Sequence, residues 1–173
     1  QVQGASWATD ILRTAQEMRT EPAEPPASSV GELRSYQRDA LAWLNFLDAA
    51  SLGGCLALDM GLGKTPTMLS HLLATHEQGP ALVVAPPAVV TNWASEANKF
   101  TPELRVLVHH GARRASAAEL AAEVEQADVV ITTYGTAVRD IEAISDYDWA
   151  RVVVDEAQAI KNPASETAQQ LRR

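Results

Sequence analysis

From Gly53-Gly54 onward the chain follows a regular alternation that leaves few folds open to it: short apolar runs take turns with stretches of helical periodicity. The apolar runs are Cys55–Leu58, Ala81–Ala85, Leu104–Val108, Val129–Thr132 and Val152–Val154. Their length and their Val and Ile content fit strands of a parallel sheet, which are buried on both faces and so need no polar alternation. Between them, Lys64–His76, Val89–Phe100, Ala117–Gln126 and Thr136–Ile144 read as helices. Ser116 and Glu119 stand at capping-box spacing ahead of the third of these. Asn162 and Pro163 supply an N-cap and a first-turn proline for a fifth helix. Strand followed by helix, five times over, predicts an α/β domain: a mostly parallel sheet with right-handed crossovers and helices on both faces. Sheets of this kind hold ligands outside the carboxyl ends of their strands, so chemistry is to be sought just after each apolar run.

What precedes the alternation is different in kind. Ser35–Ala50 is helical in pattern, with Tyr36, Ala40, Trp43, Leu44 and Leu47 at three- and four-residue steps. Thr20 to Ser29 carries three prolines among small polar residues and reads as a linker. Ahead of it, Trp7–Arg19 places Ile11, Leu12, Ala15 and Met18 on one helical face. This divides the chain into residues 1–32, a helix and linker, and residues 33–173, the working domain. A chain of 173 residues, 46% hydrophobic and 21% charged, has the size and make-up of one globular core. The net charge of −8 argues against nucleic-acid binding by bulk charge, so any such contact needs a local patch. A single cysteine, Cys55, excludes an internal disulfide framework. No apolar run approaches membrane-spanning length and the start lacks a signal-like pattern, which makes the cytoplasm the expected compartment and a membrane partner unexpected.

Two of the runs are followed by chemistry. After the first come Asp59-Met60-Gly61-Leu62-Gly63-Lys64-Thr65. The glycines let the backbone N–H groups of Gly61, Leu62 and Gly63 approach an anion, and the next helix points its N-terminus at the same place. Lys64 adds a charge for β- and γ-phosphates, and Thr65 a hydroxyl for Mg²⁺. Leu58 stands where the strict phosphate-loop pattern has its first glycine, and Pro66 lacks an N–H that commonly helps to hold an α-phosphate. The plainer reading of the loop alone is a glycine-rich turn with a surface lysine. After the last run come Asp155 and Glu156. A carboxylate at a buried strand's carboxyl end suits Mg²⁺, and its neighbour can orient and polarise the water that attacks a γ-phosphate. Alone, the pair has a plainer, minor reading as solvated acids at a strand end. Together, and in this order, the two half-motifs belong to one chemistry.

From about Leu33 to its C-terminus the chain resembles the first RecA-like lobe of superfamily-two helicases, and within them the Swi/Snf-type ATPases. The resemblance rests on Leu33-Arg34-Ser35-Tyr36-Gln37 with Trp43-Leu44, on Met60-Gly61-Leu62-Gly63-Lys64-Thr65, on Ala85-Pro86-Pro87 with Asn92-Trp93 and Glu96, on Thr132-Thr133-Tyr134, and on Asp155-Glu156-Ala157-Gln158 running into Ile160-Lys161-Asn162-Pro163. It implies a three-layer RecA-like P-loop NTPase fold and an ATP-driven translocase or remodelling enzyme acting on double-stranded DNA, with ATP and Mg²⁺ as cofactors. Gln37 would read adenine by its amide. Lys64 and Glu156 would be catalytic, and Thr65 and Asp155 would hold the metal. Pro86, Thr133 and Tyr134 would lie along one DNA backbone, and Arg113-Arg114 would either join them or form a solvated surface pair. A DNA-bound protein is the implied target, and a bacterial nucleoid the implied setting. The family's motif III and second lobe do not follow Asp155, so the chain reads as a piece of a longer protein, with a sheet incomplete at its C-terminal side and little hydrolysis of its own. Another superfamily-two motor, such as a restriction translocase or an RNA helicase, and a non-catalytic P-loop scaffold are the competing readings.

Overall fold

A computed structural model of the chain describes residues 22–58, 62–112 and 114–157. The helix expected over Trp7–Arg19, the one expected to open at Asn162-Pro163, and residues Gly61 and Arg113 lie outside the described residues. The chain divides into two compact units, residues 1–74 and 75–173.

In the first unit, residues 22–34 form no helix or strand. A turn is closed by Ser29, whose N–H and hydroxyl both donate to the Pro26 carbonyl at 2.9 and 2.6 Å. Helix α1, Ser35–Ala49, follows. Its buried stripe is Gln37, Leu41, Leu44 and Leu47, with Ala42 and Phe46 alongside. This is one position round from the face read in the sequence: Trp43 is 44% exposed and leans on Phe46 at a ring separation of 5.6 Å. The leucines form the continuous seam, and Gln37 can join it because its amide is fully engaged, as described below. Helix α2, Lys64–Thr75, buries Thr67 and Ser70 among its leucines. Each hydroxyl donates back to a carbonyl four residues earlier, Gly63 and Pro66, at 3.0 Å, which satisfies it inside the core.

The expected strand Cys55–Leu58 is not formed: residues 53–58 are irregular and mostly exposed. An apolar run becomes a strand only when a neighbour completes its ladder. Among the described residues the sheet has four strands, not five.

The second unit is built on those four: β1 Ala81–Ala85, β2 Val106–His109, β3 Val129–Thr133 and β4 Arg151–Val154. All pair in parallel, in the order β2-β3-β1-β4. The two central strands, β1 and β3, are buried at every residue, which is why they read as unbroken apolar runs. The outer strand β4 alternates, leaving Val152 57% and Val154 36% exposed. Strand β2 begins two residues later than the sequence suggests. Leu104 closes a turn onto the Thr101 carbonyl at 3.0 Å, and the Arg105 N–H is held by the Asp128 carboxylate at 2.8 Å.

Helices cover both faces. On one, Leu120 and Val124 of α4 (Ala117–Val124), Ala137 of α5 (Tyr134–Arg139) and Ile144 of α6 (Ile141–Ser145) pack on Leu82, Val84 and Val130. Helix α3, Pro87–Phe100, buries Val90, Trp93 and Ala97 outside that cluster, against β2 and β3. The capping box at α4 is formed: the Ser116 N–H and hydroxyl reach the Glu119 carboxylate at 2.9 and 2.7 Å. These bonds hold the Glu119 carboxyl below its usual range. The single helix expected over 136–144 is instead two, broken at Asp140, whose side chain is drawn elsewhere. Among the described residues no helix is long and apolar enough to cross a membrane.

Candidate nucleotide and metal site

The glycine-rich loop enters α2 through Gly63, whose φ of +74° is a left-handed conformation suited to glycine. A Cβ there would also collide with the Gln37 amide nitrogen. Gln37 is the brace of this loop. Its Oε1 accepts from the Arg34 N–H at 2.8 Å, capping α1, and its Nε2 donates to the carbonyls of Leu62 and Gly63 at 3.4 and 3.2 Å. At 7% exposure its amide is spent within the protein. Lys64 is the first residue of α2, and its ammonium donates to the Leu58 carbonyl at 2.7 Å, closing the loop on itself. Leu62, Gly63, Lys64 and Thr65 are all partly exposed. Pro66, third in the helix, falls where backbone N–H groups have no intrahelical acceptor, so it removes no helical bond.

In the second unit, parallel register brings the ends of the strands into line. Ala85 pairs with Thr133, Val84 with Val154, and His109 with Thr132. Pro86, Tyr134, Asp155 and His110 therefore leave the sheet at one edge. Asp155 is held from several sides. Its N–H donates to the Val84 carbonyl at 2.9 Å, its Oδ1 accepts from the Glu156 N–H at 2.9 Å, and its Oδ2 accepts from Trp93 Nε1 at 2.9 Å. Its carbonyl accepts from the Tyr134 hydroxyl at 2.6 Å. Burial, then the charges of Asp155 and Glu156, pushes the Tyr134 phenol up to about 12, so it remains a donor. Glu156 has φ +53°, uncommon for a residue with a side chain.

The neighbouring edge residues are structural as placed. Pro86 is the N-cap of α3, with Pro87 at the first helical position. Thr133, 2% exposed, caps α5 by accepting from the Thr136 N–H at 3.2 Å, and its hydroxyl donates to Thr136 Oγ1 at 3.0 Å. Arg114 is not a solvated cation. It grips Asp140 through Nε at 2.6 Å and through a terminal nitrogen at 2.9 Å, while buried His109 meets the same carboxylate at 2.8 Å. The Arg114 bonds, with help from His109, outweigh burial and hold Asp140 down at about 2. Neither this clamp nor the Trp93–Asp155 bond was read from the sequence. A lone acid interrupting a helical pattern was the only signal of the first.

Among the described residues no three ligating side chains converge into a protein-only metal cage. Mg²⁺ does not need one, since it keeps several waters, and the Thr65 hydroxyl of the first unit and the Asp155 carboxylate of the second are each a hard oxygen of the kind it accepts. An all-parallel α/β sheet with an acidic pair at its carboxyl edge, together with a glycine-lysine helix entrance, defines the RecA-like class of domain. The SNF2-related domain model matches residues 36–173. YwqA of Bacillus subtilis (strain 168) is 42% identical over 147 residues, covering 83% of this chain and 16% of that protein. The ISWI chromatin-remodeling complex ATPase ISW2 of Saccharomyces cerevisiae is 36% identical over 169 residues, covering 94% of this chain and 15% of its own length. Among solved structures, the Sulfolobus solfataricus SWI2/SNF2 ATPase core in complex with dsDNA superposes with a TM-score of 0.78 at 34% identity, over 88% of this chain and 31% of that one. The chain belongs to the SNF2-related domain family, and it spans about one sixth of the curated relatives named.

Proposed function

We propose that this chain is the N-terminal ATP-binding lobe of an ATP-dependent double-stranded DNA translocase of Swi/Snf type. The observation that carries the proposal is the acidic pair: Asp155 leaves β4 at the edge where Pro86 and Tyr134 leave theirs, with its carboxylate and backbone held by four hydrogen bonds. In this reading the N–H groups of Gly61, Leu62 and Gly63 and the Lys64 ammonium bind the phosphates, Lys64 exchanging the Leu58 carbonyl for phosphate oxygen. Thr65 and Asp155 would hold Mg²⁺, which when bound would supply charge neutralisation for the phosphoryl group. Glu156 orients the attacking water and takes its proton. Gln37 acts first as a loop brace, so adenine recognition requires its amide to exchange a carbonyl of Leu62 or Gly63 for the base.

DNA contact belongs to the carboxyl edge around Pro86, Thr133 and Tyr134. Because the Thr133 hydroxyl is buried as a helix cap, this surface offers backbone and half-buried groups that grip phosphate without reading bases. The solved relative in complex with dsDNA and the ATPase name of ISW2 support the reading. We further propose a DNA-bound protein as the target and bacterial nucleoid DNA as the setting. The test is steady-state ATP hydrolysis by the full-length protein that carries this lobe. Stimulation by duplex DNA but not by RNA, lost in Lys64→Ala and Glu156→Gln, is expected; stimulation by RNA alone, or hydrolysis indifferent to both substitutions, contradicts it.

A further inference from the structure

We infer that Trp93 is a positioning residue for the metal-binding carboxylate of Asp155, an inference that rests on the reading of Asp155 as the Mg²⁺ ligand. Trp93 lies in the middle of α3 and is 3% exposed, so its single polar atom must find a partner inside the protein. An indole can take a backbone carbonyl, as half-buried Trp149 does with the carbonyl of Ile144 at 2.7 Å. Trp93 instead donates to Oδ2 of Asp155, 62 residues away, at 2.9 Å. The other oxygen, Oδ1, is taken by the Glu156 N–H at 2.9 Å. One N–H on each oxygen fixes the plane of the carboxylate, and each oxygen keeps further acceptor capacity for a metal or its bound water. The indole is rigid and lies on a helix packed against the sheet, so it holds the acid more firmly than a mobile side chain would. Donors of this kind, one step removed from a metal, orient the ligand that touches it.

The test separates the N–H from the ring. Replacing Trp93 with 3-benzothienylalanine keeps the bicyclic shape and exchanges the N–H for sulfur, whereas Trp93→Phe also removes bulk. The affinity of Mn²⁺ in the presence of ADP is measured by electron paramagnetic resonance, alongside metal-free ADP affinity and the thermal midpoint. The isostere is expected to bind Mn²⁺ roughly tenfold more weakly, with metal-free ADP binding and melting nearly unchanged. An unchanged Mn²⁺ affinity, or an equal fall in metal-free ADP binding, overturns the inference. If the isostere does not fold, the ¹⁵N indole resonance of Trp93 in the unsubstituted protein decides: it shifts when Mg²⁺ is added to the ADP complex, and no shift overturns the inference. Asp155→Asn separates the two claims. Loss of metal-dependent binding in Asp155→Asn with none in the isostere sinks only the role of Trp93; metal dependence that survives in Asp155→Asn sinks the reading of the metal site itself.

Discussion

The hydroxyl of Tyr134 donates to the backbone carbonyl of Asp155 across 2.6 Å, tying the first residue of α5 to the residue that follows β4. With its phenol pushed up to about 12, the tyrosine keeps its proton and the bond persists at any working pH. Tyr134→Phe removes the bond and leaves the ring. Urea unfolding is expected to show a loss of about 1 kcal/mol, and duplex DNA is expected to stimulate hydrolysis less than in the parent. Stability and stimulation both unchanged would show that the bond does nothing.

Asp140 joins three segments: the end of β2 through His109, the β2–α4 loop through Arg114, and the break between α5 and α6. Asp140→Ala leaves His109 and Arg114 without that partner and is expected to cost roughly 2 kcal/mol. The pH dependence has a definite sign. The carboxyl titrates lower when folded, at about 2, than its ordinary value, so its contribution is complete above the ordinary carboxylate range and is lost as pH falls toward 2. Between about pH 4 and pH 2 the unsubstituted protein should therefore lose more stability than Asp140→Ala. Parallel acid curves for the two would contradict the clamp.

Gly63→Ala places a side chain at φ +74° and drives it into the Gln37 amide. The expected cost is about 1–2 kcal/mol in urea unfolding, with weaker nucleotide binding because the brace that shapes the loop is displaced. Gln37→Ala should reproduce the binding defect without the backbone strain. Tight binding by both variants would remove Gln37 from the loop.

How far the sequence could be read follows from what each residue depends on. Strand β1 begins and ends where its apolar run does, because Ala81 to Ala85 are buried on both faces and nothing outside the run competes. Cys55–Leu58 is also apolar, but it carries no Val or Ile and has no ladder, and pairing is a property of neighbours that four residues do not encode. The capping box at Ser116 and Glu119 is local, so three-residue spacing suffices to find it. The helix break at Asp140 is set by Arg114, 26 residues away, and local propensity is blind to that. In the candidate site, Lys64, Asp155 and Glu156 were legible as residue types in order. What holds them was not: the Gln37 brace, and the indole of Trp93, reach across distances that leave no periodic trace.

Calorimetric titration of the full-length protein with Mg-ATP, set against Lys64→Ala in the same protein, is the sharpest test of the nucleotide site. Sub-millimolar affinity that falls at least about tenfold in the variant, as expected when a phosphate-facing ammonium is lost, is the predicted result. Equal affinity in both proteins, or no binding in the parent, would mean that this loop does not carry a triphosphate.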